Sequence, residues 1–346
     1  MKKQILVLGT SVKTRGGISQ VILRKIDSLS SLYDFTLAPT HSDTNVVDKL
    51  RLFCRAFSHL ISNFKRYDIY HYHLSQPVSL FRKSLLLAVT PRKKPIIIHY
   101  HAAKNDIKFS ALERFLLKYI GFRCSVFVVL SELWYQGIVD NGIVDQRKCK
   151  VIYNPAHKPE HDSKSISREK IILFSGTLNK RKNYENLLKA FKYIHANNKD
   201  YCLHFAGNGE LQEAKFLAKS LGLIDNVVFH GWLGTEEMTR LYQSASVFCL
   251  PSFAEGLPMA LIDAWSNEIP VVCSNVGGIS DILRKRRAAI TVDPHSPRDI
   301  ADNIMDVIEN NSLSENLVHE GKKLVNTVLS QELFIEKMKT VYKNVL

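Results

Sequence analysis

Two acids eight positions apart carry the chemistry that this chain states most directly. In SFAEGLPMALIDAWSNEIPVVCSNVGG (252–278), Glu255 stands on a loop, Gly256, Leu257 and Pro258 follow it, and Asp263 lies inside an apolar helical pattern. Proline fits the first turn of a helix, where its missing N–H is no loss. The free amides and dipole of that turn favour a negatively charged ligand group. The apolar run PVVC (270–273) reads as a buried strand, and Gly277-Gly278 comes after it. One acid therefore precedes a helix N-terminus and the other lies about a turn inside it, flanking an anion site. A nucleotide diphosphate, with hydroxyls on both sides of its phosphates, suits that arrangement.

The segment resembles the donor-site signature of retaining, nucleotide-sugar-dependent glycosyltransferases of family 4, E-G-(F/L)-P-x-x-x-x-E, whose fold is GT-B. Asp263 is one methylene shorter than the family's glutamate. The resemblance implies that Glu255 faces the transferred sugar and that Asp263 grips the ribose hydroxyls. FSGTLNKRKNYENLLKA (174–190) resembles the family's strand–loop–helix G-R-L-x-x-x-K-G, where an Arg and a Lys clamp the diphosphate. Lys182 takes the lysine position, Thr177 stands where the arginine is usual, and Arg181 is the residue placed to compensate. A fixed cation there stabilises the charge that grows on the diphosphate as the sugar leaves. FAGNGE (205–210) resembles the A-G-x-G loop near the donor, which makes Gly207 a donor-site candidate, although tight turns use glycine for backbone reasons too. Gly277-Gly278 with Asp281 resembles G-G-x-x-E, again with Asp for Glu.

In the first half, TRGGIS (14–19) resembles the family's Gly-Gly loop, in which Gly16 and Gly17 let backbone amides approach the donor phosphates. The alternative is a turn that needs positive φ. The loop is neither a dinucleotide G-x-G-x-x-G nor a P-loop. IIIHYHAA (96–103) places His99 and His101 on alternate residues at a strand's C-terminal end, where α/β sites form. His101 matches the family's H-G or H-D position beside the reacting sugar, where it holds a hydroxyl, with Ala102 in place of Gly or Asp. His71 and His73 support the site or pack locally. A zinc reading of these histidines lacks an E-x-x-H helix or cysteine pairs. Ser131 and Asn154 resemble further family positions near the site, and Trp232 is a candidate neighbour of the nucleotide base or a packed aromatic. No D-x-D occurs, so neither a metal nor another cofactor is expected.

The elements that must position these residues are legible as an alternation. Likely strands cover 4–9, 34–39, 68–73, 95–101, 125–130 and 149–154, then 170–176, 201–207, 226–231, 246–251, 270–273 and 288–292, with helical patterns such as 18–30, 46–65, 109–121 and 132–140 between. Doubly buried strands alternating with helices make parallel α/β sheets. HKPEHDSKSISRE (157–169) is polar and aperiodic, a linker. The expected fold is α/β, with two Rossmann-like doubly wound domains facing across a cleft as in GT-B. Residues 1–160 would bind the acceptor and 161–330 the nucleotide-sugar donor, and a last helix from 331 would return to the first domain.

A chain of 346 residues has room for two such domains. Its longest apolar runs are too short to cross a bilayer. MKKQILVLGTSVKTRGG imitates a signal peptide, but its short apolar run leads into Lys13, Arg15 and two glycines, so a first strand and turn fits better. Six scattered cysteines without C-x-x-C spacing imply buried thiols in a reducing compartment, the cytoplasm. Residues 1–160 hold 25 Lys and Arg against 11 Asp and Glu, so the excess of +14 lies there. Basic and aromatic helical stretches at 48–67 and 107–123 can lie on an anionic bilayer or pack on their own sheet.

The reading that follows is a retaining, metal-independent glycosyltransferase of bacterial surface polysaccharide assembly: lipopolysaccharide O-antigen, capsule or exopolysaccharide. Its partners would be a nucleotide-sugar donor, a glycan or polyprenyl-diphosphate-linked acceptor, and the inner face of the cytoplasmic membrane. The alternatives are a GT-B nucleotide-sugar 2-epimerase and a catalytically impaired GT-B binding protein. A nucleic-acid partner is disfavoured, since basic charge without a recognition module is not specific.

Overall fold

A computed structural model describes residues 2–14, 16–75, 77–103, 107–157 and 168–346. Arg15 and most of the expected linker, 158–167, lie outside them. Two compact units are present: Met1–Pro155 with Gln331–Leu346, and Ala156–Ser330.

The strands are β1 (Lys3–Thr10), β2 (Tyr33–His41), β3 (Ile69–Leu74), β4 (Ile96–Tyr100), β5 (Val126–Val129) and β6 (Cys149–Val151) in the first unit. The second holds β7 (Glu169–Ser175), β8 (Cys202–Ala206), β9 (Val227–Gly231), β10 (Ala245–Leu250), β11 (Val271–Ser274) and β12 (Ile290–Val292). The first unit's helices are α1 (Gly17–Leu29), α2 (Val46–Ser62), α3 (Val78–Val89), α4 (Ala111–Arg123) and α5 (Glu132–Asp140). The second unit's are α6 (Tyr184–Asn197), α7 (Leu211–Ser220), α8 (Thr235–Ser244), α9 (Met259–Ser266), α10 (Gly278–Leu283), α11 (Pro297–Glu309) and α12 (Asn311–Thr327). The last helix, α13 (Gln331–Val345), belongs to the first unit.

The first sheet runs β2-β1-β3-β4-β5-β6 and the second β12-β11-β10-β7-β8-β9, and all their pairings are parallel. Strand order reverses between β1 and β3 in one and between β7 and β10 in the other. At such a switch point the loops beyond the strand ends splay apart and leave room for a ligand.

Alternation along β3 shows how the first core is divided. Tyr70, Tyr72 and Leu74 face one apolar cluster with Leu80, Ile98, Tyr100 and Trp134. Ile69 faces the other, with Ile5, Val7, Ile97, Val128 and α13's Phe334, Met338 and Tyr342. Every residue of β3 and β4 is buried, which excludes water from the edge where the histidines emerge.

Candidate active site

Glu255 sits where β10 ends and α9 begins, at the second sheet's switch point, and is 3% exposed. Its carboxylate gathers three donors. Lys182 Nζ lies 2.7 Å from Oε1, Arg181 Nη1 3.1 Å from Oε2, and Ser252 Oγ donates to Oε1 at 2.7 Å. Burial alone would raise the acid's pKa; the two cations and the hydrogen bonds from Lys182 and Ser252 reverse this and hold it below its usual range. Burial pulls Lys182 below its own usual value, and Glu255 opposes that pull. Two cations on one carboxylate leave one net positive charge beside a helix N-terminus, an environment for an anion.

The cations converge because of the turn that carries them. Lys180–Lys182 form a single 3-10 turn, capped by Asn179 Oδ1, which accepts from Lys182 N at 2.9 Å. Asn183 follows at φ 62, and its Nδ2 donates to the carbonyls of Pro251 and Pro294 at 2.8 and 2.7 Å. Phe253 N donates to Arg181 O at 2.8 Å, and Arg181 Nη1 also donates to Ala254 O at 2.5 Å. The β7–α6 and β10–α9 loops are thereby stitched together, and adjacent Arg181 and Lys182 reach opposite oxygens of one acid. Thr177 is exposed on the β7 side, so Arg181 supplies the second cation.

Glycines let three loops close on this point. Gly277 sits at φ 54 as the cap of α10, and a Cβ there would lie 1.8 Å from Glu255 O. Gly207, at φ 151, lies against Gly176, where a Cβ would meet Gly176 O at 2.0 Å. Backbone packing against the β7 loop therefore requires a glycine at 207.

Two expectations change in detail. Pro258 occupies the N-cap at ψ 130, so α9 begins one residue later, at Met259. Gly16 has extended backbone at φ 168 with open space beyond its Cα, so no positive-φ turn requires it. Ser131 is fully buried and caps α5, accepting from Trp134 N at 3.1 Å. Gly256, Leu257 and Pro258 are buried beside Glu255, and Asp263 is half-buried inside α9. Gly17 opens α1, Asn154 is buried and Trp232 is 43% exposed.

Sequence spacing did not point to Ser252, Ser274 and Asn183. Ser274 Oγ donates to Ser252 O, which continues the chain to Glu255. The Ser-x-x-Glu spacing of 252–255 is the local signal that was available.

In the first unit His101 follows β4, its backbone N donating to Leu74 O at 2.7 Å, and is 9% exposed. His71, His73 and His99 are buried on the same face, with ring nitrogens within 4.8 Å of one another.

Two six-stranded parallel sheets with flanking helices, each with a reversal of strand order at its centre, define an α/β protein of GT-B fold. Residues 157–324 match the family model "Glycosyl transferases group 1", and 27–157 match "Glycosyltransferase Family 4". The chain belongs to the family 4 glycosyltransferases. A relative in Campylobacter jejuni, the GalNAc-alpha-(1->4)-GalNAc-alpha-(1->3)-diNAcBac-PP-undecaprenol alpha-1,4-N-acetyl-D-galactosaminyltransferase, is 29% identical over 67% of this chain and 63% of its own length. The matches with the first curated relatives span between 54% and 65% of those proteins. Among solved structures, sucrose-phosphate synthase of Thermosynechococcus elongatus superposes with TM-score 0.82 at 16% identity over 99% of both chains. Anabaena HepE, solved in complex with UDP-glucose, superposes with TM-score 0.78 at 15% identity over 99% of this chain and 100% of its own.

Proposed function

We propose that this protein is a retaining glycosyltransferase that moves a sugar from a nucleotide-diphosphate sugar to a lipid-linked glycan of bacterial surface polysaccharide assembly. The observation that carries the reading is the convergence of Arg181 and Lys182 on buried Glu255 at the α9 N-terminus. The UDP-glucose complex of the structural neighbour and the PP-undecaprenol acceptor named for the Campylobacter relative support the donor and acceptor classes. In this reading Lys182, Arg181 and the first-turn amides of α9 meet the diphosphate, and Asp263 meets the ribose. The cations do the work that a divalent metal does elsewhere, so no metal is required.

The state of Glu255 bears on the mechanism. Its two oxygens already serve three donors, and its carboxyl is held below the usual range. Such a carboxylate is a poor nucleophile and a poor base. Transfer is therefore front-face: the acceptor oxygen bonds to the anomeric carbon as the bond to the phosphate oxygen breaks. The acceptor's proton passes to that phosphate oxygen. Positioning and fixed charge supply the catalysis.

The acceptor side draws support from α2, α3 and α4. Leu50, Phe81, Phe115 and Phe122 on these helices are 53% to 81% exposed, and Arg51, Arg55, Arg114 and Lys118 are exposed among them. Among the described residues no helix is long and apolar enough to cross a membrane. An apolar face rimmed by basic residues binds the surface of an anionic bilayer, where a polyprenyl-linked acceptor resides.

The test is a donor screen by saturation-transfer NMR with UDP-, GDP- and dTDP-sugars, with and without EDTA, in wild type and Glu255→Ala. A metal-independent signal weakened by the substitution is expected. Absence of binding to every donor sinks the enzyme reading, a strict metal requirement sinks the cation assignment, and a trapped covalent glycosyl–enzyme sinks front-face transfer.

A further inference from the structure

Four imidazoles occupy one face of the first sheet, where apolar side chains would be ordinary. The rings of His71 and His73 stack at 4.7 Å and 9°, those of His73 and His99 at 5.0 Å and 20°, and those of His99 and His101 at 4.5 Å and 10°. Into this slab α1 inserts Lys25, which is fully buried. Its Nζ lies 2.7 Å from His73 Nε2 and 3.2 Å from His71 Nδ1. His73 Nδ1 lies 2.9 Å from His101 Nε2, and the Tyr342 hydroxyl lies 2.7 Å from His71 Nδ1. A continuous hydrogen-bonded path runs from α13 through Lys25 to His101, at the edge of the sheet.

A buried lysine ordinarily needs a carboxylate. Among the described residues Lys25 has none, and two ring nitrogens are its partners.

The path has a direction. An ammonium group only donates. Donation to His73 Nε2 places the ring's own hydrogen on Nδ1, from which it goes to His101 Nε2. A neutral His101 must then carry its hydrogen on Nδ1, for which the described residues offer no partner. The opposite direction needs a neutral Lys25 that accepts, and it would turn a basic lone pair of His101 outward.

We propose that Lys25 and His73 are positioning residues that lock His101 as the Nδ1–H tautomer, so that it meets substrate only as a neutral hydrogen-bond donor. This rests on the reading of His101 as a sugar-site residue. Burial, reinforced by the charges of Lys25 and Lys83, pushes the pKa of His101 down to about 3, which keeps the ring neutral. A locked donor suits a sugar oxygen and cannot accept the acceptor's proton, which agrees with a transfer in which the leaving phosphate oxygen is the base.

The test uses the full chain labelled with 15N-histidine and long-range 15N–1H spectra, with the His101 signals identified by their loss in His101→Gln. Wild type is expected to show a protonated Nδ1 and a bare Nε2 across the neutral range. Lys25→Met keeps the volume and removes the donor, and His73→Phe keeps the stacked ring and removes both nitrogens; either is expected to release His101 into a mixture of tautomers. A wild-type His101 protonated on Nε2 overturns the proposal by itself, whether or not the variants fold, as does an unchanged tautomer in a folded variant. Titration with UDP-glucose reads the other premise: His101 signals that ignore it remove His101 from the sugar site and leave the tautomer standing.

Discussion

At Glu255 the identity of one side chain settles the state of three others. Glu255→Gln keeps the shape and removes the charge, which leaves Lys182 buried beside a neutral amide. Breaking a buried pair by removing one partner costs roughly 3 kcal/mol, and a unit of this size loses about 2–4 °C of Tm per kcal/mol. A calorimetric scan is therefore expected to show a clear drop for Glu255→Gln and almost none for Arg181→Met, since Arg181's side chain is 38% exposed and such pairs contribute about 1 kcal/mol or less. Donor affinity divides differently under the proposed function: a charge-assisted bond from each cation to phosphate would be worth roughly 1.5–3 kcal/mol, so Arg181→Met is expected to weaken nucleotide-sugar binding about tenfold or more in a titration. Equal affinity in wild type and Arg181→Met would remove Arg181 from the diphosphate site. Gly277→Ala is expected to be worse than its one added carbon suggests. It places a methyl group against Glu255 O at a backbone conformation that costs about 1–3 kcal/mol for other residues, and must push the Glu255 loop away. Near-wild-type stability and donor binding in Gly277→Ala would show that the loop gives way freely.

Among the elements, α2 to α4 form the layer that the first sheet presents outward. α2 divides as its pattern demands: Leu60 is buried and Phe53 and Phe57 lean on the core, while Leu50 and Ile61 stay exposed, as does Phe64 just beyond the helix. Membrane contact through this layer predicts that Phe81→Ser with Phe115→Ser lowers co-sedimentation with phosphatidylglycerol vesicles without altering the melting curve. High salt should lower it further, because the basic residues act over roughly a Debye length of 10 Å. Undiminished sedimentation of the double variant would move the contact elsewhere. The legibility of the sequence follows the same physics. Strands buried on both faces, such as β3, β4, β5 and β11, announce themselves as short apolar runs, and the twelve strands stand within a few residues of where the pattern puts them. The α3 segment VSLFRKSLLLAV was harder to read, because Ser79, Lys83 and Ser84 fall on its buried side while Val78, Phe81, Leu85 and Val89 are exposed, so its polarity does not mark the face that packs. Glu255 and Lys182 were visible because family spacing marks them. Ser274 and Asn183 were not, since they bond across loops distant in sequence. Lys25 left a signal of its own kind: it falls in the stripe of Val21, Ile22 and Leu29 that α1 buries, a lysine at a core position.

The whole molecule carries its titration asymmetry in the first unit, and that asymmetry has a sign. Burial pushes His71, His73 and His99 well below the ordinary histidine value of 6.5 and His101 to about 3. A group whose folded value is lowered in this way contributes stability that is present above 6.5. That stability is lost as pH falls towards the folded value, because the unfolded chain takes protons that the folded one refuses. Each refused proton changes stability by about 1.4 kcal/mol per pH unit. Lys83 extends the trend upward, since burial, with the Arg82 charge beside it, lowers it to about 7 while the unfolded lysine stays protonated up to 10.5; Lys25, the cation that donates to His73, adds to it only above the neutral range. Glu255 adds to the acid side, its own stabilisation failing as pH falls below 4.5. All these contributions point the same way, and the first half's excess of positive charge repels itself most in acid. Differential scanning calorimetry is therefore expected to show Tm climbing from about pH 5.5 to about pH 8.5, past the optimum usual for globular proteins. Lys83→Met is expected to flatten the upper part of that climb and leave the acid limb in place, because Lys83 titrates just above the histidines. A Tm that is level or falling from neutral to alkaline pH in wild type would mean that Lys83 keeps its proton in the fold, held there by the Ser79 hydroxyl it bonds at 3.1 Å.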